Sequence, residues 1–575
     1  MSKSPFFERL RRFPKYFIKR IRETEPQAAL SALALPLTVL FFGTVSIYVK
    51  NARELLFSLW SVALPMLGAA LLCALVIYLI FVFCPRGVYG YCRSVTIAMT
   101  VMAVIQSTYL SEKSISGDGG KEAESGAVIL SVCLWVLAVV IAVLAELLFR
   151  KKHGDVLRLI ATVLTVTAIG MQAIPITVGI IDNRKAIFSS GTDKKYVLSD
   201  RGLGDFGSEA NVFVFIIDRC DEEFSAAALR DHPEIFPDRG DFTYYDDNIA
   251  KYMITYPSVV YMLTGVEKPL EGMSREEYID SSYKSSRYLR ALKENGYDTG
   301  LYIDAYYGYE NAASMRDYVS NAEPVTRIRL SDPRWMLGMM TELALANNLP
   351  APFRGIARNV NSQNFASVVK YDSKNPVFDT LNKSIYDKIS SDDFDFRITC
   401  KKKFSFIHTS GTHYPYITDE HFKPLTDESR KYDNTIGITQ SFRIINRYID
   451  YMKKNGLYDN ATIIITGDHA PAGSELRRTA LMVKRSGDYG RTPVSHSPVA
   501  QSQIMAEIFD SEGLTGYDFG TPLSKTPEDN KRSYIYFRYI DERVYVGEIF
   551  VTGASRNPEN VKRSEEKKIK GDWYD

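Results

Sequence analysis

The stretch Asn211-Val-Phe-Val-Phe-Ile-Ile217, followed directly by Asp218, decides the fold of the larger part of this chain. A continuous apolar run of this length predicts a strand that is buried on both faces of a parallel sheet. Further short apolar runs follow at Phe404–Ile407, Ala461–Ile465 and Ala480–Val483. Because segments with helical periodicity lie between these runs, we predict an α/β domain with a doubly wound, mostly parallel sheet.

The first third of the chain predicts an α-helical transmembrane region with five spans. Each of five apolar stretches is about long enough to cross a ~30 Å hydrocarbon core as a helix. The stretches are Ala28–Val49, Leu55–Cys84, Ser94–Leu110, Ala127–Phe149 and Leu159–Ile181. Glu146 lies near the end of the fourth stretch, and we expect it to reach the membrane interface. The near absence of charge inside the stretches disfavours an ion-coupled transporter.

Lys and Arg residues are distributed unevenly around these stretches. With the N-terminus in the cytoplasm, the inner side carries 14 of these basic residues and the outer loops carry 4. The positive-inside rule therefore predicts a multi-pass protein of the cell (plasma) membrane, with everything after Asp182 extracytoplasmic. The formal net charge of the whole chain is +2, which argues against a nucleic-acid partner.

These observations predict five regions along the chain. They are a cytoplasmic basic N-terminus (1–27), the transmembrane region (28–182), a polar linker (183–208), the α/β domain (209–525), and a C-terminal β-hairpin with a charged tail (526–575). The small antiparallel hairpin is predicted from the alternating Tyr, Ile and Val residues of Ser533–Val551. Six cysteines are too few for a disulfide scaffold, and a bond between Cys220 and Cys400 stays open.

Chemically active residues follow several of the predicted strands. Asp218 follows the first strand, and Thr466-Gly-Asp468-His469 follows Ala461–Ile465. Ligands of an open α/β sheet bind at the carboxyl ends of its strands, so we expect these residues to meet there. Carboxylate oxygens together with an imidazole nitrogen suit Zn²⁺ or Mn²⁺ better than Ca²⁺. The sequence therefore predicts a metal site.

The segment Thr255-Tyr-Pro257-Ser258 begins a predicted helix that ends at Gly265. Proline is favoured in the first turn of a helix and glycine just after its end. Thr255 would then lie at or just before a helix N-terminus, where backbone N–H groups and the helix dipole favour an anion. The alternative is a plain capping threonine. The neighbouring Asp218 and Asp468-His469 favour the anion site.

These segments resemble the motifs of the alkaline phosphatase/sulfatase superfamily. Thr255-x-Pro257-Ser258 followed by Thr264-Gly265 has the spacing of the sulfatase signature Cys-x-Pro-Ser-Arg…Thr-Gly. The strand that ends in Asp218 and the strand before Asp468-His469 are similar to the metal-ligand segments of that superfamily. By this resemblance, residues 209–525 would form a sulfatase-like catalytic domain.

A second resemblance is to membrane-anchored members of that superfamily. Thr412-His413-Tyr-Pro-Tyr416 is similar to a His-Tyr-Pro-Phe-type segment of lipoteichoic acid synthases. Five spans followed by an extracytoplasmic hydrolase-like domain are also the layout of those synthases and of the lipopolysaccharide phosphoethanolamine transferases. The likeness in architecture covers nearly the whole chain, whereas the likeness in motifs rests on four short segments.

The resemblance implies a metal-dependent phosphotransferase. One divalent metal ion, Mn²⁺ or Zn²⁺ with Mg²⁺ also possible, would be held by Asp218, Thr255, Asp468 and His469. Thr255 would attack the phosphorus of a phospholipid donor and pass a phosphoglycerol or phosphoethanolamine group to an envelope glycan or glycolipid. His413 and His496 are candidates for contacting the phosphoryl group or protonating the leaving oxygen.

The sequence also departs from these families. Thr255 and Val259 stand where sulfatases have a Cys or Ser that becomes formylglycine, followed by Arg, so sulfate-ester hydrolysis by the usual route is disfavoured. Ala305-Tyr-Tyr-Gly-Tyr309 does not match the substrate-contacting residues of lipoteichoic acid synthases, which leaves the headgroup open. Two alternatives remain: an extracytoplasmic phosphodiesterase or phosphatase with water as acceptor, and a non-catalytic relative in envelope assembly.

Overall fold

The computed structural model describes most of the chain and divides it into two units. The described residues are 27–52, 55, 57–110, 125–188, 195–303, 312–357, 360, 362–471, 478–488, 494–540 and 543–569. One compact unit comprises Met1–Asp193 and Ile328–Lys370, and the other comprises Lys194–Arg327 and Tyr371–Asp575. We call them the membrane unit and the α/β unit. Nearly all of the predicted basic N-terminus, 1–27, lies outside the described residues.

The secondary-structure elements are numbered in chain order. The helices are α1 (Gln27–Lys50), α2 (Leu59–Phe83), α3 (Arg86–Ile105), α4 (Ser125–Asp182), α5 (Arg184–Phe188), α6 (Glu222–Asp231), α7 (Thr255–Thr264), α8 (Arg275–Lys284), α9 (Arg287–Glu294), α10 (Pro333–Asn348), α11 (Ser362–Ser367), α12 (Asn382–Ile389), α13 (Asn434–Lys454) and α14 (Ile504–Ser511). The strands are β1 (Tyr196–Leu198), β2 (Asp205–Ile217), β3 (Thr243–Tyr245), β4 (Asn248–Ile249), β5 (Tyr297–Tyr302), β6 (Ala322–Pro324), β7 (Arg327–Leu330), β8 (Val369–Asp372), β9 (Arg397–Thr409), β10 (Ala461–Thr466), β11 (Leu481–Lys484), β12 (Val494–Ser495), β13 (Val499–Ala500), β14 (Lys531–Ile540), β15 (Arg543–Thr552), β16 (Val561–Arg563) and β17 (Lys567–Ile569).

Within the described residues, four helices are long and apolar enough to cross a membrane: α1, α2, α3 with its extension to Leu110, and α4. Helix α4 contains both the fourth and the fifth predicted stretch, and His153 between them has non-helical torsion angles (φ −132°, ψ 33°). Arg150 beside this kink donates to the carbonyl of Gly87 at the start of α3 (2.7 Å). Asn183, just past the other end of α4, donates to the carbonyl of Val49 (3.3 Å). Five crossings stay a prediction.

Glu146 is buried where α4 packs against α3, and its expected position at the membrane interface stays a prediction. Its side chain is only 2% exposed, and its Oε1 accepts hydrogen bonds from Ser94 Oγ (2.8 Å) and Arg93 Nη2 (3.3 Å). A Cβ on Gly90 would lie 2.7 Å from Glu146 Oε2. The close packing of α4 against α3 therefore brings the carboxylate onto an arginine, which satisfies both charges away from water.

The α/β unit is built around a seven-stranded sheet with the order β12-β3-β11-β10-β2-β9-β5. Strands β10, β2, β9 and β5 are mutually parallel, as the sequence predicted. Strand β11 runs antiparallel to both of its neighbours, whereas β3 and its parallel partner β12 run in the same direction as β10. The central sheet is therefore mixed: it is mostly parallel, as predicted, and β11 is its reversed strand. This difference was invisible in the sequence because a short buried run has the same composition in either direction.

Both faces of this sheet are covered by helices. Along β2, Val212, Val214 and Ile216 pack into one core with residues of α7, α8, α9 and α14. The alternate residues, Phe213, Phe215 and Ile217, pack into a second core with residues of α6, α12 and α13. The apolar run that opened the sequence analysis is therefore buried on both faces, because successive side chains of a strand point to opposite sides.

Two segments differ from the predicted domain boundaries, and the C-terminal sheet is larger than the predicted hairpin. Strand β1 and the first residues of β2 lie inside 183–208, so that segment is not simply a linker. Residues 328–370 lie inside the predicted domain 209–525 but belong to the membrane unit. In the C-terminal region, β14 and β15 pair antiparallel within a four-stranded sheet that also contains β16 and β17. Cys220 and Cys400 are free thiols.

Candidate active site

Three side chains meet at the carboxyl ends of two neighbouring strands. Asp218 follows β2, Asp468 and His469 follow β10, and these strands pair in parallel with Ile216 opposite Thr466. Metal-ligating atoms of the three residues lie within 4.8 Å of one another. His469 Nε2 is 3.6 Å from Asp218 Oδ1 and 3.6 Å from Asp468 Oδ2. The parallel register therefore gathers these residues as the sequence predicted.

Thr255 completes this group from a different element. It is the first residue of α7, a ten-residue helix that is ended by Gly265 in the left-handed conformation (φ 74°). Its Oγ1 lies 3.3 Å from His469 Nε2, and the residue is 6% exposed. The N-terminal backbone N–H groups of a helix favour an anion. Thr255 thus presents a buried hydroxyl at a helix N-terminus and beside the carboxylates.

The backbone orients the two residues that follow β10. Asp468 Oδ1 accepts hydrogen bonds from the backbone N–H groups of Arg219 (3.0 Å) and His469 (2.9 Å). Asp468 Oδ2 is buried and has no hydrogen-bond partner among the described residues. His469 Nδ1 lies 2.9 Å from the carbonyl of Ala470, so the tautomer with hydrogen on Nδ1 leaves Nε2 as an acceptor.

This arrangement fits a divalent metal ion. Burial alone would raise the pKa of Asp468, but His469 and then His408 outweigh it and hold that pKa well below its ordinary value. Two carboxylates, an imidazole nitrogen and a nearby hydroxyl form a donor set that suits Zn²⁺ or Mn²⁺. The buried Oδ2 of Asp468 supports this assignment, since buried polar atoms normally have a partner.

Two glycines allow the loops behind the site to approach one another closely. Gly411 has φ 50°, and a Cβ there would lie 2.3 Å from the backbone nitrogen of Asp218. A Cβ on Gly467 would lie 2.5 Å from the carbonyl oxygen of Cys220. Sequence reasoning did not single out either glycine, although both follow the predicted strands within four residues and could have been found on that ground.

Gln501 and Thr412 also support the site and were missed. Gln501 Nε2 donates to the carbonyls of Gly467 (2.6 Å) and Asp468 (2.8 Å). Thr412 Oγ1 donates to the carbonyls of Asp218 (3.0 Å) and, at 2.9 Å, Arg219. A glutamine more than thirty residues from its acceptors gives no local pattern, so only the tertiary structure reveals its role.

Two histidines near the end of β9 occupy different positions. His408, within β9, is 2% exposed, and its Nε2 lies 3.8 Å from Asp468 Oδ2. Part of the His413 side chain is exposed to solvent, and the rest contacts protein. The partial loss of solvent lowers the pKa of His413, and the nearby charges of Arg219 and His469 lower it further. Arg219 places its guanidinium 4.8 Å from the ring centre of Tyr414. His413 therefore lies within electrostatic range of the metal-ligand group.

The structure does not bring His496 into this group. His496 Nδ1 lies 2.7 Å from Asp246 Oδ2, and its side chain is 75% exposed. Arg556 also contacts this carboxylate, at 3.0 Å. His496 follows β12 and Asp246 follows β3, and β11 separates these two strands from β10. Asp221 accepts hydrogen bonds from the N–H groups of Glu223 and Phe224 and so caps α6.

Comparison with known proteins identifies the larger part of the α/β unit. The sequence model of the sulfatase family matches residues 227–510. This part of the chain is a sulfatase-family domain. The alkaline phosphatase/sulfatase resemblance drawn from the motifs is therefore confirmed, including its lipoteichoic acid synthase-like branch. The match begins after Asp218 and includes Thr255, Asp468 and His469.

Among curated proteins, the chain is similar to the lipoteichoic acid synthases of Staphylococcus aureus. The one from strain USA300 is 29% identical over 173 residues, which are 25% of this chain and 26% of that protein. The synthase of strain NCTC 8325 gives the same values. The chain thus matches about a quarter of the length of these relatives.

Solved structures similar to this chain include two from the same superfamily. One is a protein in the alkaline phosphatase superfamily from Vibrio parahaemolyticus, at 13% identity and a TM-score of 0.36, covering 66% of this chain and 85% of that one. The other is the lipoteichoic acid synthase LtaP from Listeria monocytogenes, at 12% identity and a TM-score of 0.32, covering 63% and 88%. TM-scores this low add nothing to the family match.

Proposed function

We propose that this protein is a membrane-bound, metal-dependent transferase with Thr255 as its nucleophile. It moves a phosphoglycerol or phosphoethanolamine group from a phospholipid to an envelope glycan or glycolipid on the extracytoplasmic side of the cell membrane. The observation that carries the proposal is the buried Thr255 hydroxyl, 3.3 Å from His469 Nε2 at the start of α7. All four proposed ligands are present and gathered, which disfavours the non-catalytic alternative.

The metal centre would be formed by Asp218, Thr255, Asp468 and His469. A bound divalent ion lowers the cost of deprotonating a hydroxyl and neutralises phosphoryl oxygens. Arg219 and His469 hold Asp468 through their backbone N–H groups, so the carboxylate is oriented before any ligand binds. Such preorganised groups stabilise developing charge without reorganisation during the reaction.

The transfer proceeds in two displacements. In the first, the Thr255 oxygen bonds to phosphorus, its proton leaves to water, and the bond from phosphorus to the lipid alcohol breaks. In the second, an acceptor hydroxyl oxygen bonds to phosphorus and its proton leaves to water, while the bond from phosphorus to the Thr255 oxygen breaks and that oxygen takes a proton from water. His413 is the residue we assign to contacting the phosphoryl group and protonating the leaving oxygen. His496, paired with Asp246 away from the group, has no assigned step.

The decisive experiment looks for the covalent intermediate. The full-length protein in nanodiscs is incubated with Mn²⁺ or Zn²⁺ and with phosphatidylglycerol or phosphatidylethanolamine, and its peptides are analysed by mass spectrometry. We expect a phosphoglycerol or phosphoethanolamine mass on Thr255. Thr255→Val keeps the side-chain shape without the hydroxyl and should abolish the adduct, whereas Thr255→Ser should retain it on the serine.

Thr264→Val is the matched control. It removes a buried threonine hydroxyl from the other end of α7, where that hydroxyl donates to the carbonyl of Val260 (2.7 Å), and it should leave the adduct on Thr255. Headgroup release to water with no transfer to a glycan would move the conclusion to a hydrolase. No adduct together with no bound metal would overturn the catalytic proposal in favour of a non-catalytic relative.

A further inference from the structure

The segment 328–370 interrupts the sequence of the α/β unit but folds with the membrane helices. Its two ends are joined, because Ser331 donates to the carbonyl of Val368 through both its backbone N–H (2.7 Å) and its Oγ (2.8 Å). Between these ends lie α10, a short helical stretch at Ala351–Ala357, and α11. The segment is therefore a closed excursion of the chain into the membrane unit.

The excursion meets the ends of the membrane helices that adjoin residues 51–58 and 111–124; we call these the loop-side ends. Arg354 donates to the carbonyl of Leu110, the last residue of the α3 extension. The ring of Phe365 in α11 lies 6.1 Å from the ring of Phe57, two residues before α2. Both contacts are at the loop-side ends, so the part of the segment that contains Arg354 and Phe365 lies at the loop-side ends of the membrane helices.

Helix α10 reaches much further along the membrane helices. Thr341 contacts Met66 Sδ (3.8 Å), and a Cβ on Gly43 would lie 3.3 Å from Ala344 Cβ. Leu345 packs against the buried cluster formed by Val39, Met102, Ala103 and Trp135. After α10, the backbone N–H of Ala351 donates to Ser131 Oγ (3.0 Å). Each contact is on a helix that crosses the predicted membrane.

These contacts give the depth of α10. At about 1.5 Å of rise per residue, Gly43 and Met66 lie roughly 10 Å from their loop-side ends. By the same rise, the residues around Leu345 lie roughly 10–17 Å from those ends, and the deepest of them is close to half of a ~30 Å hydrocarbon core. The chain then returns through Ala351 to Leu110. Residues 332–357 therefore descend towards mid-membrane depth and come back on the same side.

Three large apolar side chains on this excursion are exposed in the described structure. Trp335 is 48% exposed, Phe353 is 50% exposed and Ile356 is 43% exposed. Asp332 and Arg334, which are charged and exposed, stand at the start of α10. Charges at the start of a helix and tryptophan beside them are typical of the membrane–water interface. The exposure of these three apolar side chains is comparable to that of apolar side chains on α2, where Leu72 is 64% exposed.

We propose that residues 332–357 form a re-entrant membrane segment whose Trp335, Phe353 and Ile356 side chains contact phospholipid. The occupant of this surface is the bilayer, because the segment is continuous in depth with helices that themselves require lipid. A helix such as α10 satisfies its own backbone polar groups at this depth, and irregular backbone is tolerated there where it is buried in protein. The inference rests on the membrane helices and does not depend on the transfer reaction.

Photocrosslinking tests this contact directly. Trp335, Phe353 or Ile356 is replaced singly with p-benzoylphenylalanine in the full-length protein, which is reconstituted in phosphatidylglycerol/phosphatidylethanolamine nanodiscs with alkyne-tagged acyl chains. Leu72 on α2 is the positive control. Ile417, which is 83% exposed in the α/β unit, is the matched apolar control for a side chain outside the membrane.

We expect lipid adducts at all three positions with yields comparable to that at Leu72, and only background at Ile417. Adducts at Leu72 without adducts at the three positions would overturn the proposal, as would equal adducts at Ile417. A second measurement avoids any unnatural residue: Trp335→Phe should reduce the fraction of tryptophan fluorescence that brominated phospholipids quench. An unchanged or larger quenchable fraction would equally refute the re-entrant segment.

Discussion

Gly411 offers a quantitative test of how the site is held together. It has φ 50°, and a Cβ at this position would lie 2.3 Å from the backbone nitrogen of Asp218 and 2.6 Å from its carbonyl oxygen. Ordinary contacts of a Cβ begin at 3.4 Å. Gly411→Ala must therefore displace the backbone that carries Asp218 by about 1 Å, and a misplacement of that size can cost on the order of 100-fold in rate.

The same substitution also introduces backbone strain. A residue with a Cβ pays roughly 1–2 kcal/mol to adopt the left-handed region. Gly456→Ala isolates this term, because Gly456 has φ 67° at the end of α13 and nothing lies within 4 Å of its Cβ position. We expect both variants to lower the melting temperature, with the larger loss for Gly411→Ala, and only Gly411→Ala to impair the site.

The assay measures Mn²⁺ affinity by calorimetry and the rate of adduct formation on Thr255, alongside thermal unfolding of the solubilised protein. Mn²⁺ affinity tests the placement of Asp218 even if the donor lipid is wrongly assigned. The reasoning would be refuted if Gly411→Ala bound Mn²⁺ as tightly as Gly456→Ala and both lost the same amount of thermal stability.

Three further predictions follow from buried groups. Gln501→Leu removes the donor to two carbonyls beside the metal ligands and should weaken Mn²⁺ binding by about 10–100-fold, measured by calorimetry; unchanged affinity would contradict a positioning role. Arg532→Met breaks the buried pair with Asp247 and should cost about 3–5 kcal/mol in unfolding free energy, whereas Arg538→Met on the surface should change the melting temperature little. Burial lowers the pKa of Lys484 to about 8, so the unfolded chain binds more protons than the folded chain from about pH 8 to about pH 10, and stability should rise with pH in that window. Lys484→Met should flatten this rise in a pH series of melting temperatures, and an unaltered slope would contradict the assignment. Above this pH window, buried tyrosines with raised pKa values make the stability fall as the pH rises.

Most of the candidate site could be predicted because its residues follow strands. Asp218 and Asp468-His469 stand directly after buried apolar runs, and parallel strands place their carboxyl ends at one edge. Thr255 was recognisable from the proline and glycine that mark its helix. His496 shows the limit of this reasoning: its strand ends at the same edge, yet the sheet order separates it from β10, and the sequence does not contain that order.

The contacts between the membrane helices were predicted less well than the sheet. A stretch of apolar residues fixes the length of a membrane helix but says nothing about which neighbour it meets. The contact of Glu146 with Arg93 therefore could not be predicted from either residue alone, although the apolar stretches around them were recognisable. The supporting residues Gln501 and Gly411 are similar cases, since each acts across loops that are distant in sequence.

The sequence by itself determined the buried strands, the apolar helices and the chemistry at the strand ends, because hydrophobic periodicity and local turn residues are written in neighbouring positions. Only the tertiary structure decided that β11 is antiparallel and that residues 328–370 join the membrane unit. Helix α10 is sixteen residues long and carries Thr, Glu and Asn among its apolar residues, so its composition resembles a soluble helix. Its place is set by packing against Gly43, Met66 and Trp135, and such long-range contacts arise only when the whole chain has folded.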